Sequence, residues 1–190
     1  VRRGQHQRAR AAIGVVGAVC AVGYTAPPMS LAYRGLGEVF VFLFFGPLAV
    51  AGTRAACDGD WTAAAFACGI APGAIGVALL ATNNLRDRAG DAASGKRTLV
   101  VRFGEQFGRV EIALAHGLAV VVPFAAWAIG VPRGALAASL LAMLLAPVSL
   151  TVLMGRDGAN LNKSLAGFGA MLYLYGVLFA AGVLVSGGAR

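Results

Sequence analysis

Six stretches of this chain carry no charged side chain: residues 11–33, 39–53, 61–85, 112–132, 134–155 and 164–189. Five of them exceed the roughly 18 apolar residues that mark a bilayer-spanning helix. The sixth, 39–53, is shorter, but Glu38 and Arg54 stand at its ends, where both can reach toward the polar interfaces. A water-soluble fold would have to bury nearly all of this in one core, and 190 residues cannot enclose it. The chain is 58% hydrophobic and 13% charged, against about 25% charged in a typical soluble domain. The spacing predicts an all-α, polytopic transmembrane bundle of about six helices, near 11–24, 37–53, 62–84, 110–130, 134–154 and 165–186.

Charge then sorts the two sides of the membrane. If the helices alternate, linkers 25–36, 85–109 and 155–165 share one face with nine Lys/Arg, and the opposite face, N-terminus included, holds seven. This excess favours a cytoplasmic 85–109 loop. The cations are spread along membrane rims rather than gathered on a soluble domain, which argues against a nucleic-acid partner. Cys20, Cys57 and Cys68 are odd in number and scattered, so they propose neither a disulfide framework nor a metal site. Cys20 and Cys68 read as small helix-packing residues. The basic start VRRGQHQRAR precedes a run too long for a signal-peptide core and without a cleavage site, so no removed leader is expected. His6 and His116 lack partners at metal-ligand spacing and are expected at surfaces or interfaces. Trp61 and Trp127, near predicted helix ends, suit interfacial anchoring. Gly69 and Gly73 form a small-xxx-small spacing for close helix packing, and Pro47, Pro72, Pro123 and Pro147 mark places where helices can kink.

Polar chemistry concentrates in NNLRDRAGDAASGKRTLVVRFG, residues 83–104, directly behind the apolar segment ALLAT. Asn83, Asp87 and Asp91 recur every four residues and form one stripe if the helix continues past the membrane edge, because each step of four drifts only about 40° around the axis. Two carboxylates on a stripe make a platform for a hard cation such as Mg²⁺, which shares one or two carboxylates with substrate phosphates and keeps several waters. Gly95 reads as a helix stop, and Lys96 and Arg97 follow it. Cations beside carboxylates suit a diphosphate, with metal on one side and Lys/Arg donors on the other. The alternative is a solvated loop whose charges only anchor helix ends in modest exposed ion pairs. Spacing alone leaves both open.

The string DRAGDAASGKRT, with NN before it and LVVRFG after it, resembles the second aspartate-rich motif of the UbiA-type intramembrane prenyltransferases. Within that superfamily it is most similar to the 1,4-dihydroxy-2-naphthoate polyprenyltransferases of menaquinone biosynthesis. Asp87 and Asp91 match the DxxxD, and Gly95 and Thr98 follow at the family spacing. A second piece, YTAPPMSLAYRGLGEVFVFLFFGPLAVAGT at 24–53, is similar to the family's Tyr-Thr-Gly-Gly linker and Gly-Leu-Gly-Glu helix start. The resemblance implies transfer of a polyprenyl group from polyprenyl diphosphate to an aromatic acceptor inside the membrane, with Mg²⁺ as cofactor. It implies that Asp87 and Asp91 hold the metal, with Asn83 and Asn84 close by, and that Lys96 and Arg97 bind the diphosphate. Tyr24, Tyr33 and Glu38 become candidates for the acceptor end. For Glu38 a role in the site and simple helix capping both stand. Phe40, Phe42, Phe44 and Phe45 face lipid, pack the bundle or line a prenyl tunnel.

The departures carry equal weight. The family uses two aspartate-rich motifs in a nine-helix fold, whereas all eight acidic residues here lie at position 38 or later, and no Asp, Glu or Asn precedes residue 24. The chain is therefore expected to be one transmembrane prenyltransferase-like domain, 1–190, corresponding to the last six helices and N-terminally incomplete. Its linker reads Thr-Ala-Pro-Pro in place of Thr-Gly-Gly. Rival readings are a sibling enzyme using 4-hydroxybenzoate, haem or a chlorophyll-type acceptor, a catalytically inactive remnant or scaffold, and a small carrier. The carrier is disfavoured because no acid or arginine sits mid-helix. Arg-rich, Lys-poor usage points to a GC-rich bacterial genome, from which a location in the cytoplasmic membrane is expected. Prenyl chain length and oligomeric state are not legible.

Overall fold

Helices here begin and break where the chain supplies caps, glycines and prolines. The structure, a computed structural model, describes residues 11, 14–20, 22–24 and 30–187. Nine α-helices are used below: α1 (Gly14–Tyr24), α2 (Gly37–Phe45), α3 (Pro47–Asp58), α4 (Ala63–Ala93), α5 (Leu99–Phe103), α6 (Glu105–Ala128), α7 (Leu136–Leu144), α8 (Ala146–Leu153) and α9 (Leu161–Gly187), with short 3₁₀ turns at Leu31–Arg34, Arg133–Ala135 and Gly158–Asn160. There is no strand among the described residues. Five segments are long and apolar enough to cross a membrane: Gly37–Asp58, Ala63–Ala93, Glu105–Ala128, Arg133–Leu153 and Gly158–Gly187. The predicted first span, 11–24, falls partly outside the described residues: residues 12, 13 and 21 lie outside them, as does His6, and α1 is the part described.

Two predicted helices are broken. The segment expected as one helix over 37–53 divides at Gly46 (φ −123°, ψ −112°), and Pro47 opens α3, since proline fits the first helical turn, where its missing N–H is not needed. α3 then runs to Asp58 and stops at Gly59, whose φ of 86° is the left-handed conformation glycine adopts without penalty. Likewise α7 ends and α8 begins beside Pro147. Pro72 and Pro123 sit inside α4 and α6 without ending them. α4 starts at the cap of Thr62, whose side-chain oxygen accepts from the Ala65 N–H at 3.2 Å. It reaches Ala93 rather than residue 84, so Asn83, Asp87 and Asp91 all lie on this one helix.

α4 is the central element and packs on α2, α3, α6 and α9. Its buried stripe of Ala71, Ile75, Ala78 and Ala81 meets Ile112, Ala115 and Ala119 of α6 and Phe168, Met171 and Tyr175 of α9 in one core. His116 is buried rather than at a surface: its Nε2 lies 2.9 Å from the Ala142 carbonyl, and its ring stands edge-on to Phe168. Four residues after Ile112 and three before Ala119, it shares their inward stripe. Trp61 and Trp127 are exposed at helix ends, Cys20 and Cys68 are half-buried, and Cys57 is exposed.

One buried cation holds the end of α8. The Arg109 guanidinium, 6% exposed, donates to the carbonyls of Val152 and Arg156 and pairs with Glu105. Val152 is in the last turn of α8 and Arg156 in the segment just after it, so the guanidinium ties the end of α8 to the chain that leaves it. Arg109→Met is expected to destabilise the fold by about 2–3 kcal/mol, read as a lower thermal midpoint in detergent. An unchanged midpoint would show that water serves these carbonyls equally well.

Candidate active site

Three polar linkers meet at the C-terminal end of α4. The Arg97 backbone N–H donates to the Tyr33 carbonyl at 2.9 Å and ties the 31–36 turn to the segment after α4. Gly35 makes this approach possible: its φ is 76°, and a Cβ there would lie 2.6 Å from the Arg97 carbonyl oxygen. From the other side, Arg86 Nη1 donates to Asn162 Oδ1 at 2.8 Å and joins α4 to the start of α9. Asp58 and Asp60 lie at the opposite end of α4.

Each aspartate of the stripe holds a cation. Asp87 accepts from Arg86 Nε at 2.7 Å and Nη2 at 2.6 Å, and the same Nη2 donates to Asn83 Oδ1 at 2.8 Å. Asp91 is buried and receives Lys96 Nζ at 2.7 Å. Lys96 Nζ also sits 5.4 Å from the centre of the Tyr33 ring, a cation–π arrangement. The hydrogen bond to Asp91 raises the Lys96 ammonium above the ordinary lysine range. Because the shift is upward, what the pair adds is complete at neutral pH and is lost only as pH rises through that raised value. Lys96 therefore stays charged wherever an enzyme would be assayed. The turn is closed by Thr98, which caps α5 by accepting from the Val101 N–H at 3.3 Å.

Behind this rim lies a cavity of about 390 Å³, lined by Tyr24, Tyr33, Glu38, Asn83, Asn84 and Lys96 together with Thr98 and Leu80. Asn84 Nδ2 donates to Glu38 Oε1 at 2.9 Å, and both side chains are buried. At Tyr24 the polar cavity meets an apolar one of about 380 Å³ between α1 and α2, lined by Gly17, Cys20, Phe40, Val41, Phe44 and Phe45. Phe40 and Phe44 stack there with centroids 5.7 Å apart. A third cavity, about 360 Å³, opens beyond Arg86 between Arg88, Glu105 and Asp157.

The structure thus brings six of the nine residues singled out from sequence to one cavity. Asp91 joins it through Lys96. Asp87 stands half exposed on the rim, held by Arg86, and Arg97 is exposed and contributes its backbone. One residue was missed. Arg86 bridges Asn83, Asp87 and Asn162; its place inside the string NNLRD was the available signal. As a donor set, two carboxylates and an amide oxygen on one stripe fit Mg²⁺, which takes oxygen ligands and shares them with phosphates and water. No third carboxylate, histidine or cysteine joins them among the described residues.

Comparison with known proteins follows the same outline. The UbiA prenyltransferase family matches residues 6–174. The chain is 37% identical over 182 residues to a 1,4-dihydroxy-2-naphthoate octaprenyltransferase of Mycobacterium tuberculosis, a match covering 90% of this chain and 59% of that protein. It is 32% identical over 176 residues to the protein of the same name from Haemophilus influenzae, covering 92% of this chain and 57% of that one. The chain thus spans less than three fifths of the length of these curated relatives. No solved structure matches it significantly. With a family match over most of its length and membrane-spanning helices arranged around the expected polar rim, this chain belongs to the UbiA prenyltransferase family.

Proposed function

We propose that this chain carries the second half of a prenyl-transfer site. The reaction is Mg²⁺-dependent transfer of a polyprenyl group from polyprenyl diphosphate to 1,4-dihydroxy-2-naphthoate, with loss of CO₂ to give demethylmenaquinol. The observation that carries this reading is a single cavity with a cation–carboxylate rim at one end, a buried carboxyl–amide pair within it, and an apolar groove leading off at Tyr24. The names of the relatives support the acceptor. The excess of Lys/Arg on the 85–109 side supports a cytoplasmic rim in a bacterial cytoplasmic membrane.

Asp87 and Asp91, with the Asn83 oxygen, would hold the metal. When bound, Mg²⁺ would supply positive charge that offsets charge developing on the departing diphosphate. Arg86 releases Asp87 and turns its guanidinium to the phosphate oxygens, where Lys96 and Arg97 add further donors. The allylic C–O bond breaks and the electron pair leaves with the diphosphate. The apolar groove beside Phe40 and Phe44 takes the isoprenoid tail, and the membrane-embedded walls keep water from the allylic cation. Tyr24 and Tyr33 flank the ring of the acceptor, and Glu38 and Asn84 hold its polar end. The ring carbon bearing the carboxylate forms the new C–C bond. The C–CO₂ bond then breaks, its electrons restore the aromatic ring, and no net proton is transferred.

The test is transfer of labelled polyprenyl diphosphate to 1,4-dihydroxy-2-naphthoate by the purified chain in nanodiscs. Product formed with Mg²⁺ and lost on chelation is the expected result. Prenylation of 4-hydroxybenzoate in preference to the naphthoate would move the chain to a sibling activity. A folded chain without product beside an active full-length relative would show that the site needs the part of the longer relatives that this chain does not span.

A further inference from the structure

Every side chain expected to receive a metal already holds one of this chain's own cations. Both oxygens of Asp87 face one edge of the Arg86 guanidinium, with Nε 2.7 Å from Oδ1 and Nη2 2.6 Å from Oδ2. The same Nη2 donates to Asn83 Oδ1 at 2.8 Å, and Lys96 Nζ donates to Asp91 Oδ1 at 2.7 Å. A divalent cation drawn to Asp87 and Asn83 would stand beside the positive guanidinium, and the two charges repel. The Asn83–Asp87 end of the stripe is therefore closed to a metal while Arg86 stays where it is.

What keeps Arg86 there comes from another helix. Its remaining amino group, Nη1, donates at 2.8 Å to Oδ1 of Asn162, on the first turn of α9 and 76 residues away. The guanidinium is planar and rigid, with its donors in a fixed fork. Turning the Nε–Nη2 edge off Asp87 takes Nη1 off Asn162 as well, so the Asn162 bond belongs to the closed position alone. There is room for the turn, because Arg86 is partly exposed and lines the third cavity, beside the start of α6 and the linker before α9. Leaving Asp87 breaks a bidentate charge pair, and the oxygens of a diphosphate offer the fork an equivalent partner.

We propose that Asn162 is a positioning residue that parks Arg86 across Asp87 and so holds down the metal affinity of the stripe in the absence of a diphosphate. The proposal rests on the reading of the stripe as the metal–diphosphate site. Only the fraction of molecules with Arg86 turned away is open to a metal, and the apparent affinity falls by that fraction. A diphosphate that draws the guanidinium to itself raises the fraction, so metal and diphosphate each favour the binding of the other.

The probe is Mn²⁺, which takes the oxygen ligands that suit Mg²⁺ and whose electron paramagnetic resonance signal separates free from bound ion without turnover. The full chain is titrated in a neutral detergent, and the binding counted is that which Asp87→Asn abolishes. Asn162→Ala alters no charge and lies at an exposed position; it should tighten Mn²⁺ binding by about fivefold, the scale of one hydrogen bond. Arg86→Leu should tighten it by about tenfold or more, since the whole bidentate fork is gone, and adding Asn162→Ala to that variant should change nothing further. Arg88→Leu removes an equal charge from the same helix end, but Arg88 faces Glu105 at 3.7 Å with both side chains exposed, so the affinity should stay within about twofold. Equal affinity in the unaltered chain and Asn162→Ala overturns the proposal and leaves the metal site standing, as does a tightening by Asn162→Ala that persists once Arg86 is gone. Equal tightening by Arg88→Leu and Arg86→Leu also overturns it, because overall charge would then be the cause. Binding of Mn²⁺ at the stripe by none of these chains overturns the metal reading and the proposal with it.

Discussion

Asp91→Asn is expected to lower prenyl transfer by a hundredfold or more, the scale of losing one positioned electrostatic group in a water-poor site. Asp91 is buried, its carboxylate is bound to Lys96, and it is one of the two carboxylates on the α4 stripe. The amide keeps the shape and removes the charge, so a metal would lose a hard anionic oxygen and Lys96 would lose its counter-charge. The two consequences are separable. Losing the oxygen moves the half-saturating Mg²⁺ concentration upward, whereas losing only the ion pair lowers thermal stability and leaves the Mg²⁺ dependence alone. Rates measured across Mg²⁺ concentration, beside a melting curve, tell them apart. Asp87→Asn is expected to behave similarly on Mg²⁺ with less effect on stability, because Asp87 is half exposed. If both variants stay within about threefold of the unaltered chain, the stripe is an ion-paired helix end and the solvated-loop reading of 83–104 prevails.

How much of this was legible before any coordinates depended on the kind of signal each residue carried. The i, i+4 stripe of Asn83, Asp87 and Asp91 needs only helical periodicity, and α4 extends far enough to hold all three. The bundle was legible because uncharged runs of this length admit few other states. Boundaries were less so. The break at Gly46–Pro47 arises from two adjacent residues, and a proline alone does not decide it, since Pro72 and Pro123 are accommodated within helices. The inward placement of His116 required knowing which face of α6 meets α4 and α9. A nearly all-apolar helix hides this, because lipid and core ask for the same side chains. Arg86 and Arg109 act through partners 76 and 43 residues away, and spacing within one segment cannot reveal such partners.

Gly69→Ala is expected to be a strongly damaging single-methyl change in the bundle outside the polar rim. A Cβ at residue 69 would lie 2.5 Å from Pro47 Cα and 2.7 Å from the Gly46 carbonyl carbon, and one at residue 73 would lie 2.5 Å from the Phe42 carbonyl oxygen. These neighbours are backbone, so no rotamer change relieves the contact; α3 and α4 must separate. Without a hydrophobic drive between helices in lipid, such close approach is a main source of their association. Overpacking commonly costs about 1–3 kcal/mol, and here it opposes the gain of roughly 1 kcal/mol that alanine brings to a helix interior in place of glycine. The control is Gly117→Ala on α6, where nothing lies within 4 Å of the added methyl and only the propensity gain remains. The pair should therefore move in opposite directions: a clearly lower thermal midpoint for Gly69→Ala and an equal or higher one for Gly117→Ala. The separation of α3 from α4 would also displace α2, which carries Glu38 to the cavity wall. Acceptor binding should consequently weaken in Gly69→Ala even below its melting point, and a variant that melts early while binding the acceptor normally would show that α2 keeps its place without the glycine contact.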